Sequence, residues 1–122
     1  MVLALVVGAA GAVGAVSRYL LDGFVQDRVA GPFPAGTLAV NLAGSLVLGV
    51  VTGFAVHLPT LHFTATVMGA GFCGALTTWS TTSWETVRLA EEGEGRTALA
   101  QLAANLAGCL AAGGLGLAIG WH

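Results

Sequence analysis

The sequence has no lysine. Its only formal cations are Arg18, Arg28, Arg88 and Arg96, and charged residues make up 8% of the chain. A soluble domain carries about a quarter, so there is too little charge here to cover a water-facing surface. A net charge of −2 with no basic patch argues against nucleic acid as a partner. Cysteine is scarce: Cys73 and Cys109 form no zinc pattern and read as small hydrophobes. Acid, base and nucleophile nowhere cluster, which argues against an enzyme. The stretch Gly69-Ala-Gly71-Phe-Cys-Gly74 matches GxGxxG literally, but the βαβ context of a dinucleotide site is missing.

What remains is apolar. Hydrophobic residues are 56% of the chain and the mean hydropathy is +0.85. Val29 to Trp84 contains no formally charged residue. The reading is a single polytopic, all-α membrane domain over residues 1–122, with four spans. Val2 to Leu21 is the first, and its helical rise of about 30 Å matches the hydrocarbon core. It has no basic segment before it, as a cleaved leader would. Gly8, Gly11 and Gly14 form a small-residue stripe for a neighbouring helix. Asp22 to Pro34 is expected as a polar loop. The second span is about Ala35 to Val56, ending at a His57–His62 turn that contains Pro59. The third is about Thr60 to Arg88 and the fourth Thr97 to Trp121. Gly49 and Gly53, and again Gly116 and Gly120, form GxxxG faces.

The third span is the unusual one, reading GAGFCGALTTWSTTSWE from Gly69 to Glu85. Three glycines precede a cluster of hydroxyls, a composition unsuited to an uninterrupted helix. A break is expected near Gly74 to Thr77, where unwound backbone is tolerated if it is packed or lines a cavity. Such a break frees carbonyl oxygens that suit a hard cation, or that bond to the Thr77 and Thr78 hydroxyls in an ordinary kink. Elsewhere, Asn41 and Ser45 share a face of the second span, and Gln101 and Asn105 a face of the fourth. Uncharged donors in hydrocarbon serve either a desolvated anion or interhelical hydrogen bonding.

Three blocks carry a resemblance: GAVGAVSRY at Gly11 to Tyr19, GTLAVNLAGS at Gly36 to Ser45, and GFCGALTTWSTTSWE at Gly71 to Glu85. In content, order and spacing the chain resembles the small fluoride channels of the Fluc/CrcB type over essentially its whole length. The resemblance implies an antiparallel dimer in the cell membrane with two fluoride pores. It also implies a structural sodium ion at the dimer centre, held by main-chain carbonyls matching Gly74 and Thr77. Asn41 matches the family's pore asparagine, and Ser80 and Thr81 match hydroxyls beside the permeation track. Gln101 and Asn105 fall near a polar stripe of the last span. Arg18 matches an arginine that either attracts anions or snorkels to the interface. Trp79 and Thr82 depart from the pattern, since both stand where the family has pore-lining phenylalanines. An aromatic ring has a positive edge able to face an anion; Trp79 keeps one, whereas Thr82 offers a hydroxyl instead.

The expected function is therefore passive export of fluoride down its electrochemical gradient. A weakly conducting or nonconducting partner subunit is one alternative. A small multidrug-type exporter is another, disfavoured because no acid lies mid-span. All four arginines fall on the side of the Asp22–Pro34 and Ala90–Arg96 loops. Cationic flanks tend to stay cytoplasmic, so both termini are expected outside. An antiparallel dimer then needs either an oppositely oriented paralogue or, if four charges bias insertion only weakly, a second copy of the chain.

Overall fold

The computed structural model describes residues 1–122. It is all-helical. Helix α1 runs Val2–Gln26, α2 Ala35–His57, α3 His62–Thr66, α4 Gly74–Leu76, α5 Trp79–Glu91 and α6 Gly95–Trp121. A 3₁₀ turn at Pro59–Leu61 leads into α3, and a π-helical segment, Val67–Cys73, joins α3 to α4. Three helices, α1, α2 and α6, are long and apolar enough to cross a membrane. The stretch expected as a third span is a succession of short segments instead.

Helix α1 continues past the expected boundary at Leu21 to take in Asp22 through Gln26. Gly23 in that extra turn keeps helical backbone, and the first glycine with positive φ is Gly31, at +93°, followed by Pro32. The Arg28 guanidinium donates to the Phe24 carbonyl at 2.7 Å and lies 3.5 Å over the Phe24 ring. A cation is favourable at that end of a helix dipole.

The interruption also differs from the expected one. Gly74 is itself helical (φ −61°, ψ −35°), and the backbone becomes extended at Thr77 (φ −81°, ψ 158°) and Thr78 (φ −151°, ψ 122°). The glycines are used one step earlier, where Gly69 and Gly71 belong to the widened π turns. A Cβ on Gly71 would lie 2.7 Å from the Val7 carbonyl oxygen and 2.9 Å from Ala10 Cβ. One on Gly14 would strike the Phe72 carbonyl. Helix α1 and the π segment therefore meet backbone to backbone, through Gly14 of the predicted stripe. Gly8 has open space around it.

The two GxxxG faces pack against each other. A Cβ on Gly53 would lie 2.7 Å from the Leu117 carbonyl oxygen and 2.8 Å from Gly120 Cα. Gly49 sits on Gly113, Gly116 on Leu46 and Gly120 on Val50, each at a distance that excludes any side chain. Close approach of this kind is how helices gain packing where lipid removes the hydrophobic drive between them.

The result is inverted relative to a soluble domain. Only 21 of 122 residues are buried, and among them Thr37, Asn41, Thr78, Thr82, Gln101 and Asn105 match the buried apolar residues in number. Leu5, Val16, Leu106, Leu110 and Ile119 face outward. A polar interior inside an apolar coat fits a bilayer as solvent.

Candidate functional site

The polar interior is one hydrogen-bonded network built on the interruption at Thr77 and Thr78. In an uninterrupted helix the Thr78 N–H would close on the Gly74 carbonyl and the Thr81 N–H on that of Thr77. Neither does. The Thr78 N–H donates to Asn41 Oδ1 at 2.7 Å, and the Thr81 N–H donates to the Thr78 hydroxyl at 3.2 Å, capping α5. The carbonyls of Gly74 and Thr77 thus lose their usual donors.

Asn41 holds the extended residue from both edges. While Oδ1 accepts from the Thr78 N–H, Nδ2 donates to the Thr78 carbonyl at 3.1 Å, as a neighbouring β-strand would. The same amino group reaches Thr82 Oγ1 at 3.1 Å and Asn105 Oδ1 at 2.7 Å. Asn105 in turn donates to the Gln101 main-chain carbonyl at 2.9 Å and to Gln101 Oε1 at 3.0 Å. Gln101 donates to the Thr82 carbonyl at 3.0 Å and to the Thr86 hydroxyl. Three helices, α2, α5 and α6, are therefore joined by one chain of amides and hydroxyls. Both polar atoms of the Asn41 side chain are thus engaged. Thr82, fully buried, donates to the Thr78 carbonyl at 3.0 Å and belongs to this network.

Two cavities flank the network. One, of about 440 Å³, is walled by Trp79, Asn41, Asn105, Ser45 and Cys109, with Gly74 and Thr77 also on its lining. Trp79 is 58% exposed and supplies its only aromatic ring. The other, of about 280 Å³, is lined by Arg18, Tyr19, Asp22, Thr37, Thr78 and Thr81, among others. Arg18 therefore faces a cavity shared with two threonines of the central stretch, Thr78 and Thr81. Ser80 is exposed, its hydroxyl 3.3 Å from that of Thr78. Gln101 has no exposed surface and lines neither cavity.

Sequence reasoning missed three groups. Thr78 is one, named from the sequence only as a hydroxyl of a possible kink and not as a site residue. Thr86 is another. The third is Glu85, whose Oε1 accepts from the Thr37 hydroxyl at 2.9 Å across a separation of 48 residues while Oε2 is buried without a partner. It lies near the expected end of the third span, at Arg88. No signal in one sequence pairs it with Thr37.

The comparisons agree with this architecture. Residues 5–117 match the family model described as CrcB-like protein, Camphor Resistance (CrcB). The chain is 43% identical over 116 residues to the fluoride-specific ion channel FluC 1 of Leifsonia xyli subsp. xyli, covering 95% of this chain and 85% of that protein. It is 48% identical over 111 residues to FluC 1 of Streptomyces avermitilis (88% and 87% covered). It is 43% identical over 106 residues to FluC of Methanocaldococcus jannaschii (87% and 84%). These relatives are named as ion channels, a non-enzymatic class. A match that runs through all three apolar helices and the hydroxyl-rich interruption between them, at this identity and coverage, means that the chain belongs to the CrcB-like family of multi-pass membrane proteins.

Proposed function

We propose that the chain is a subunit of a passive, fluoride-selective channel of the cell membrane, releasing accumulated fluoride from the cell. The observation that carries the reading is the polar interior around Thr78, flanked by two cavities, in a chain 40–48% identical to proteins named fluoride-specific channels. Fluoride is small and strongly hydrated. Uncharged hydroxyl, amide and aromatic-edge donors can replace part of its shell without holding it as a fixed cation would. Trp79, Ser80, Thr81 and Arg18 lie on or beside the cavities and are assigned to the anion path. Asn41, Asn105, Gln101 and Thr82 are assigned to the frame that shapes it. A negative-inside potential drives anion exit with about 2.3 kcal/mol per charge per 100 mV.

The segments from Pro59 to Glu91 are taken as one interrupted crossing, which makes four spans with α1, α2 and α6. A second subunit in antiparallel orientation completes the assembly. The carbonyls of Gly74 and Thr77, deprived of helical donors, fit a small hard cation such as Na⁺. Held by these two carbonyls, such an ion would supply positive charge against their dipoles.

A second reading concerns the partner. Arg88 lines a cavity with Asp22, Gln26 and Pro32, so the end of α5 lies beside the end of α1, and Arg18, Arg28, Arg88 and Arg96 belong to that end. At the other end, the His57 ring packs on Trp121 at 4.6 Å, with no arginine nearby in sequence. So lopsided a chain favours one orientation, and its antiparallel partner is then a paralogue of opposite bias. Trp79 and Thr82, in place of two phenylalanines, fit a subunit that relies on a partner's rings.

Purified chain in liposomes, with fluoride efflux followed by electrode, tests the main reading. Efflux that needs only a permeant counter-cation supports it. Silence from the chain alone, with efflux restored by an oppositely oriented paralogue, selects the heteromeric reading, and silence in both cases refutes the channel.

A further inference from the structure

Thr78 is the one residue of the central stretch that lines both cavities. On one side is the 440 Å³ space with Trp79, Asn41 and Asn105; on the other is the 280 Å³ space with Arg18, Thr37 and Thr81. The residue is 8% exposed, so it fills the wall between them. Its main chain is held on both polar groups. Asn41 grips its N–H at 2.7 Å and its carbonyl at 3.1 Å, and Thr82 adds a second bond to that carbonyl. Its hydroxyl oxygen is aimed by the Thr81 N–H, while its hydrogen has a choice of partners, Thr81 Oγ1 at 3.1 Å and Ser80 Oγ at 3.3 Å. A donor that can turn from one hydroxyl to another can turn to a passing anion at little cost.

We propose that Thr78 forms the partition through which an anion passes from one cavity to the other, its hydroxyl donating to the ion and its methyl group limiting the ion's size. The proposal rests on the channel reading above and adds a specificity-determining residue to it. One hydroxyl supplies a donor without a charge, so a small anion is held briefly and released. The methyl group, backed by main chain that Asn41 does not let move, leaves less room for a larger halide. Asn41, Asn105 and Gln101 act here through Thr78 as positioning residues.

Since Thr78 also caps α5, the test uses replacements that are themselves good caps. Thr78→Ser keeps cap and donor but removes the methyl group; fluoride efflux from liposomes should persist and chloride efflux should appear. Thr78→Asn keeps a cap oxygen but adds bulk; fluoride efflux should fall about tenfold or more, equivalent to ~1.4 kcal/mol of barrier, with an unchanged size-exclusion profile. Loss of a helix cap alone would not move the two variants in opposite directions. Unaltered rate and unaltered fluoride-over-chloride selectivity in both variants would overturn the partition and leave Thr78 a cap. If the Asn variant does not assemble, the Ser variant decides alone, since unchanged selectivity there overturns the proposal. Absence of fluoride efflux from the unsubstituted chain, alone or with a paralogue, would instead remove the channel reading on which the partition depends.

Discussion

Asn41 presents one carbonyl and one amino group, and both meet the main chain of a residue that has left its helix. Removing that amide strands buried groups at the start of α5 and on α6. Asn41→Leu leaves the Thr78 N–H and Asn105 Oδ1 without their partner and the Thr78 carbonyl with the Thr82 hydroxyl alone, and an unsatisfied buried polar group costs about 1–3 kcal/mol. The expected outcome is lower thermal stability in detergent together with loss of fluoride flux. Full flux at unchanged stability would show that Asn41 neither frames nor lines the path. Gln101→Leu separates the two effects, because Gln101 has no exposed surface and lines neither cavity. It should lower stability and slow fluoride flux while leaving fluoride-over-chloride selectivity as it was. A change of selectivity would place Gln101 in the path rather than the frame. Thr77→Ala should be mild on either measure, because the cation site proposed there uses the carbonyl. The cost is a hydroxyl whose bond goes to the Cys73 carbonyl within its own turn.

At the scale of elements, the spans were legible and their joints less so. Composition alone marks α1, α2 and α6, because uninterrupted apolar runs of that length have one stable solution in lipid. The GxxxG faces of α2 and α6 were legible as faces, though nothing in one sequence says that each is the other's partner. The break was legible as a region, drawn toward Gly74 because glycine is the usual helix breaker. The chain departs instead at Thr77 and Thr78, where the Asn41 side chain of α2 and the hydroxyl of the capping Thr78 replace the lost helical acceptors. The amide network was unreadable for a simple reason: the Asn41 bonds that tie α2 into it join residues 37 to 64 positions apart. Packing of α2 on α6 gives a direct check. Gly53→Val drives a branched side chain into Leu117 and Gly120 and should cost about 1–3 kcal/mol or prevent assembly. Gly114→Ala, with open space around it, should be tolerated. Equal tolerance of both substitutions, judged by melting in detergent, would contradict the close packing of these helices.

For the whole molecule, the polar interior, the apolar coat and the one-sided arginines are what the proposed channel subunit, inserted with a preferred direction, rests on. Single cysteines introduced at Gly93 and after His122, in a background lacking Cys73 and Cys109, can be labelled from outside intact cells. The account predicts labelling after His122 and protection at Gly93. Equal labelling of both would mean insertion in both directions and would remove the need for a paralogue. The central claim is selective, passive passage of fluoride, and the most direct measurement is the reversal potential in planar bilayers. With opposing gradients of fluoride and chloride, and the paralogue added if the chain alone is silent, the current should reverse at the equilibrium potential of fluoride. Reversal at the chloride potential, or no current from an assembled and stable protein with or without its partner, would contradict the account.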